Sequence, residues 1–177
     1  DKILDLAESE IFHISQEKVE SSHYRMIDLM KKNVEVIQNM LNKREAVTGI
    51  PTGFYELDKI TAGFQKSDMI VLAARPSMGK TSFALNIVEH MAVEKNIPVA
   101  IFSLEMSAES LALRILSSTA KIPVSKIRTG YIGQQDFQTL VAVAGRLSNA
   151  PIYIDDTSGL SILSLKAKAR RLKTKYN

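Results

Sequence analysis

The stretch Ala74-Arg75-Pro76-Ser77-Met78-Gly79-Lys80-Thr81 holds the most recognisable chemistry in the chain. Its closing Gly-Lys-Thr follows Ala74 at the spacing of a P-loop in which alanine replaces the first glycine. Each part has a physical task. Backbone N–H groups of such a loop, and of the helix it opens, make a concave nest for phosphate oxygens. Gly79 lets the backbone approach without a Cβ, Lys80 brings a point charge to the β- and γ-oxygens, and Thr81 offers a hydroxyl to Mg²⁺. Ser82 extends the phosphate-binding segment into the helix. A chance Gly-Lys-Thr in a loop is the competing account. The context argues against it, because an apolar strand-like run precedes the loop and an amphipathic helical pattern follows. The small Ala74 side chain still permits a tight turn.

Two further acidic positions invite the same question. Glu105 directly follows the apolar run Val99 to Leu104, and reacting ligands in open α/β sheets lie at the carboxyl ends of strands. A carboxylate there can orient and deprotonate an attacking water. It can equally be an acid favoured by the positive end of the next helix. Ile152-Tyr153-Ile154-Asp155-Asp156 has the look of an apolar strand ending in a magnesium ligand. The alternative is a pair of turn-forming aspartates leading into Thr157-Ser158-Gly159.

These residues need elements to hold them. Met69–Ala74 and Val99–Leu104 read as buried strands, and Ile152-Tyr153-Ile154 as a third short one. Between them, Lys80 to about Lys95 carries Phe83, Ile87 and Met91 on one helical face. Ser107 is placed to cap a helix bearing Leu111 and Ile115. Phe137, Leu140, Ala144 and Leu147 stripe another helix, and Ile162, Leu165, Ala169, Leu172 and Tyr176 the last. Strands alternating with helices predict an α/β fold, a mostly parallel sheet with helices on both faces. Upstream, Leu4, Ala7, Ile11 and Ile14 stripe a short helix, and Ile27, Met30, Val34, Ile37 and Leu41 a second. The second stripe spans only about two heptads, so it must dock on something, its own core or a neighbouring chain. Thr48–Gly53 supplies the turn formers of a boundary.

Composition removes whole classes. The 177 residues contain no cysteine and three scattered histidines, which excludes a disulfide scaffold and a zinc module. No apolar run is long enough to span a membrane, and the first residues lack signal-peptide order. The net charge of +4 is local rather than general: residues 161–177 carry six basic side chains and no acid. That helix could follow a phosphate backbone, but its clean stripe favours a packed helix with a solvated basic face.

Taken together, Thr48-Gly49-Ile50-Pro51-Thr52-Gly53-Phe54, Leu57-Asp58, the Ala74–Thr81 loop and Ser103-Leu104-Glu105-Met106-Ser107 closely resemble the bacterial replicative DNA helicases of the DnaB family. Arg128-Thr129-Gly130, Tyr153 to Thr157 and Ala167 to Lys173 add to the likeness, which covers nearly the whole chain. The resemblance implies a partial RecA-like P-loop ATPase core preceded by a helical linker. Residues 1–20 would be the tail of a helical N-terminal domain, 21–50 the linker with its docking helix at 24–42, and 51–177 the first part of the ATPase domain. It implies ATP and Mg²⁺ as cofactors, Glu105 and Lys80 as catalytic residues, and residues 74–82 as the nucleotide-binding segment. The partners implied are single-stranded DNA, a homohexamer formed through the linker helix, and a primase and helicase loader for the full-length protein. The setting is cytoplasmic, with no membrane contact. In the family the Walker B strand, a nucleotide-sensing glutamine, DNA-contacting loops and an arginine finger all follow the last helix seen here. The expectation is therefore an inactive piece of a helicase that moves 5′→3′ on single-stranded DNA. Loss of a finger alone removes on the order of a thousandfold or more in rate. A recombinase or KaiC-like ATPase, or a non-catalytic interaction module, are the alternatives.

Overall fold

The computed structural model describes residues 24–43 and 47–176, so the predicted helix over Leu4–Ile14 and the expected domain tail 1–20 lie outside the described residues. The chain falls into two units, Asp1–Glu45 and Ala46–Asn177. In the first, helix α1 (Met26–Lys43) follows the predicted periodicity. Ile27, Met30, Val34, Ile37 and Leu41 all lie exposed on its surface.

The second unit begins with a short knot of chain. Ile50 and Phe64 form an antiparallel bridge that closes the turn around α2 (Tyr55–Thr61). Inside it, the Asp58 carboxylate accepts the Thr52 N–H at 2.9 Å, the Thr52 hydroxyl at 2.8 Å and the Gly53 N–H at 3.3 Å. Thr52 is fully buried and Asp58 is 5% exposed. Burial alone would raise the Asp58 carboxyl, but the Thr52 and Gly53 donors and nearby His90 outweigh it, so its pKa is lowered. Gly53 has φ +85° and a Cβ there would meet the His90 ring at 2.6 Å, so both conformation and space require glycine. Asp58→Ala leaves two buried donors without an acceptor. It is expected to destabilise the unit by on the order of 2–4 kcal/mol, read as a lower urea midpoint, with Asp58→Asn intermediate. An unchanged midpoint would remove the knot from the stabilising contacts.

Phe54 stacks on Phe83 at 4.5 Å between centroids, tying the knot to α3 (Lys80–Glu89), which continues as one wider turn through His90–Glu94. β1 (Val99–Phe102) then leads to α4 (Ala108–Ala120), α5 (Val124–Thr129) and α6 (Gln134–Ser148). β2 (Ile152–Asp155) pairs parallel with β1, with Val99 opposite Ile152 and Phe102 opposite Asp155, and α7 (Ile162–Tyr176) closes the order. Alternation sorts the two faces. Ile101 and Ile154 pack against the core of Leu85, Leu111 and Ile115 from α3 and α4. Each such buried aliphatic side chain contributes about 1.5–3 kcal/mol. Ala100 and Tyr153 face α7, where Tyr153 stacks on Tyr176 at 4.1 Å. The predicted helix–sheet–helix layering is therefore present, on two strands among the described residues.

The third expected strand is not. Met69–Ala74 runs unpaired, with Met69 88% and Val71 75% exposed. A strand exists only where a neighbour satisfies its N–H and C=O groups. Here a cavity of about 480 Å³ lies between Leu72 and Ile101 of β1, so no ladder joins them. On its other side, Ile70, Val71 and Leu72 border a cavity of about 650 Å³ walled by Leu57, Phe83, Ile87 and Met91. The apolar content marks the run correctly as a segment to be buried; the partner that would make it a strand is absent from the described residues.

Candidate functional site

The Met69–Ala74 run delivers the chain to a loop of unusual backbone. Ser77 has φ +64° and Gly79 φ +86°, both left-handed, and Gly79 is the N-cap of α3. Alternating right- and left-handed residues turn successive N–H groups toward one point, the geometry of an anion nest. A Cβ at Gly79 would meet nothing within 4 Å, so its positive φ, not crowding within the protein, selects glycine. The loop closes on itself through Met78 N–H to Arg75 O at 3.2 Å and Phe83 N–H to Gly79 O at 2.9 Å. Lys80 is the first residue of α3, where the helix dipole adds to its own charge.

A cavity of about 500 Å³ opens at this helix end. Residues 74–77 and 79–82 wall one side, and Glu105, Met106 and Arg114 the other. The sequence candidates thus converge with three exceptions. Met78 points away, 73% exposed and outside the cavity wall. Asp155 and Asp156 are also outside it, turned to other tasks. Asp155 accepts from the Lys168 ammonium at 2.6 Å and from the Thr157 N–H and hydroxyl. Those bonds, Lys168 first, hold its carboxyl down to about 2. Of the two readings of Ile152–Asp156, the turn is the one the geometry displays.

Glu105 sits in the link between β1 and α4. Ser103 organises that link: its hydroxyl donates to the Met106 carbonyl at 2.6 Å and accepts the Met106 N–H at 3.0 Å. Ser107 caps α4 as expected, accepting the Ser110 N–H at 3.3 Å. Glu105 itself is exposed and faces Lys80 and Thr81 across the cavity.

Arg114 was not legible as a site residue. It lies beside the core positions Leu111 and Ile115 on an amphipathic helix, where an arginine ordinarily reads as a solvated face. The available signal was indirect: a helix starting at the carboxyl end of β1 must border the cavity with its first turns. Two basic side chains, Lys80 and Arg114, and a dipole end line the cavity and suit a polyanion. Among the described residues no three His, Cys, Asp or Glu side chains converge as a metal cage. A cation here would use hard oxygens: the half-buried Thr81 hydroxyl and the oxygens of a bound phosphate, which suits Mg²⁺.

The chain is similar to known proteins in sequence and in structure. Residues 49–177 match the family described as the DnaB-like helicase C-terminal domain. The replicative DNA helicase DnaB of Geobacillus stearothermophilus is 46% identical over 173 residues, 98% of this chain and 38% of that protein. The replicative DNA helicase DnaC of Bacillus subtilis is 45% identical over 97% of this chain and 38% of its own length. Among solved structures, one described as an ATPase domain superposes with a TM-score of 0.76 at 30% identity, covering 84% of this chain and 53% of that one. A DnaB-like replicative helicase, described with its interactions with primase, gives 0.76 at 30% identity over 97% of this chain and 40% of that one. The chain thus spans well under half the length of these curated relatives.

Proposed function

The chain belongs to the DnaB-like helicase C-terminal domain family, and from that premise we propose that the protein carrying it is a replicative DNA helicase. It hydrolyses ATP in the cavity between the 74–82 loop and Glu105. One observation carries the reading: Lys80 and Glu105, distant in sequence, face one cavity at the end of a helix whose N-cap loop is a nest for phosphate.

The loop amides and Lys80 hold the β- and γ-phosphates of ATP, and Arg114 adds charge from the far wall. The Thr81 hydroxyl, with phosphate oxygens, would hold Mg²⁺, which would supply positive charge to the triphosphate. Glu105 orients a water toward the γ-phosphorus and accepts its proton as the new P–O bond forms and the bond to the β-phosphate oxygen breaks. The ADP oxyanion leaves toward Lys80.

In the whole protein, the exposed stripe of α1 serves as the linker that docks on a neighbouring subunit of a homohexamer, because an isolated helix of this length gains too little alone. A strand supplied by the longer protein fills the space beside Met69–Ala74 and brings the Walker B carboxylate. Single-stranded DNA is the track, with movement 5′→3′, and a primase and a loader are partners. No helix among the described residues is long and apolar enough to cross a membrane, and the work is done in the cytoplasm.

The test is steady-state Mg-ATP turnover by the full-length protein with and without single-stranded DNA, alongside unwinding of forked duplexes. Stimulation by DNA and unwinding that requires a 5′ tail are expected. Filament formation on DNA without unwinding would move the protein to the recombinase alternative. Turnover indifferent to DNA would move it to the KaiC-like one.

A further inference from the structure

The link that carries Glu105 is pinned at both ends to the tip of β2, and the two pins are consecutive residues. At its start, Ser103 N–H donates to the Asp155 carbonyl at 2.8 Å, continuing the β1–β2 ladder by one rung. At its end, Ala108 N–H, the first of α4, donates to Asp156 Oδ2 at 2.8 Å across 48 residues of sequence. Between the pins the Ser103 hydroxyl bridges both backbone groups of Met106. Nothing else in the sequence relates Asp156 to Glu105.

We propose that Asp156 is a positioning residue for hydrolysis: its carboxylate, seated on the α4 N-terminus, fixes where the Glu105 link ends and so where the Glu105 carboxylate stands relative to Lys80. This rests on the reading of Glu105 as the base.

The division of labour between the paired aspartates supports it. Asp155 turns to the far side, where Lys168 and Thr157 occupy it and hold α7. Asp156 turns back to α4. An anion at a helix N-terminus satisfies one of four otherwise unbonded N–H groups and is favoured by the dipole. Ser107 satisfies the Ser110 N–H from within the helix's own sequence. Asp156 reaches the N–H nearest to Glu105. Without it the link keeps its Ser103 bridge but loses its far anchor, and Glu105 gains freedom along the cavity wall. Misplacement of a reacting group by about 1 Å costs up to ~10²-fold.

The experiment compares Asp156→Ala, Asp156→Asn, Asp155→Ala and Glu105→Gln in the full-length protein. It reads kcat and KM for Mg-ATP, Kd for a non-hydrolysable ATP analogue, and thermal midpoint. Asp156→Ala is expected to lower kcat about tenfold or more, within the positioning range just given, with analogue affinity within about twofold of wild type. Asp156→Asn, whose amide oxygen still accepts the Ala108 N–H, restores most of the rate. Asp155→Ala lowers the thermal midpoint and leaves kcat near wild type. The inference is overturned if Asp156→Ala turns over normally. It is equally overturned if its kcat and analogue affinity fall together with the midpoint, if the asparagine variant is as slow as the alanine one, or if Asp155→Ala matches Asp156→Ala. Glu105→Gln separates the two levels. Normal turnover there removes the base itself, whereas a dead Glu105→Gln beside a fully active Asp156→Ala removes only the positioning role.

Discussion

Glu105→Gln in the full-length protein is expected to lower Mg-ATP turnover by about 10²–10⁴-fold, the usual contribution of a general base, while leaving nucleotide affinity nearly unchanged. The substitution keeps the shape of the side chain and removes its ability to take a proton. Because Glu105 is exposed and the link is held by Ser103 and Asp156 rather than by Glu105, the fold has no reason to respond. Surface changes of this kind usually stay within about 0.5 kcal/mol of the original stability. The measurement is kcat beside analogue affinity, with thermal midpoint as the control. The expected variant binds ATP and stalls before hydrolysis. Turnover above a tenth of wild type would mean that another group activates the water, and Glu105 would revert to an acid at a helix start.

What could be read in advance divides along a physical line. The backbone of the 74–82 loop was legible because a P-loop pattern makes local conformational demands. Gly79 at positive φ, Lys80 at the first helical position and a strand-like entry are all short-range demands, and short-range demands leave marks in sequence. The helices α3, α4, α6 and α7 were legible for the same reason, each carrying a stripe at its own period. Ser107 as a cap is another local rule that the structure follows.

The misses are all long-range. Met69–Ala74 has strand composition, yet pairing belongs to two segments at once and no sequence window contains its partner. α7 shows the same effect in part. Its later stripe residues Ala169, Leu172 and Tyr176 are half-buried against the sheet, while Ile162 remains 88% exposed. Periodicity reports which face is apolar; it does not report how much of that face finds a neighbour. Arg114 and Asp156 are the opposite case, ordinary residue types whose placement comes only from where α4 begins and β2 ends. Asp155-Asp156 reads in sequence as one feature with one role, and alternation along a strand end sends the two carboxylates to different helices.

Lys80→Ala carries the other large effect, and it differs from Glu105→Gln in kind. In the proposed reaction Lys80 meets phosphate in the ground state as well as during transfer, so its loss is expected to weaken binding and slow the chemistry together. A hydrogen bond to a charged group contributes about 1.5–3 kcal/mol, which corresponds to roughly 10- to 150-fold in nucleotide affinity. Removing a donor to the developing charge costs a further ~10²–10³ in kcat. Arg114 on the opposite wall does not substitute, because it approaches from α4 and not along the axis of α3. Lys80→Arg is the sharper control. It preserves charge but replaces a compact ammonium with a planar fork at a position that must fit within a tight nest, so little activity should return. Recovery by arginine would mean that charge at position 80, and not the compact ammonium, is what the site requires. Affinity and turnover both untouched in Lys80→Ala would place nucleotide elsewhere and dissolve the site. The two variants thus probe one cavity from its two walls: the Lys80 change moves affinity and rate, the Glu105 change rate alone. Only a shared site with separate ground-state and transition-state contacts yields that pair of signatures.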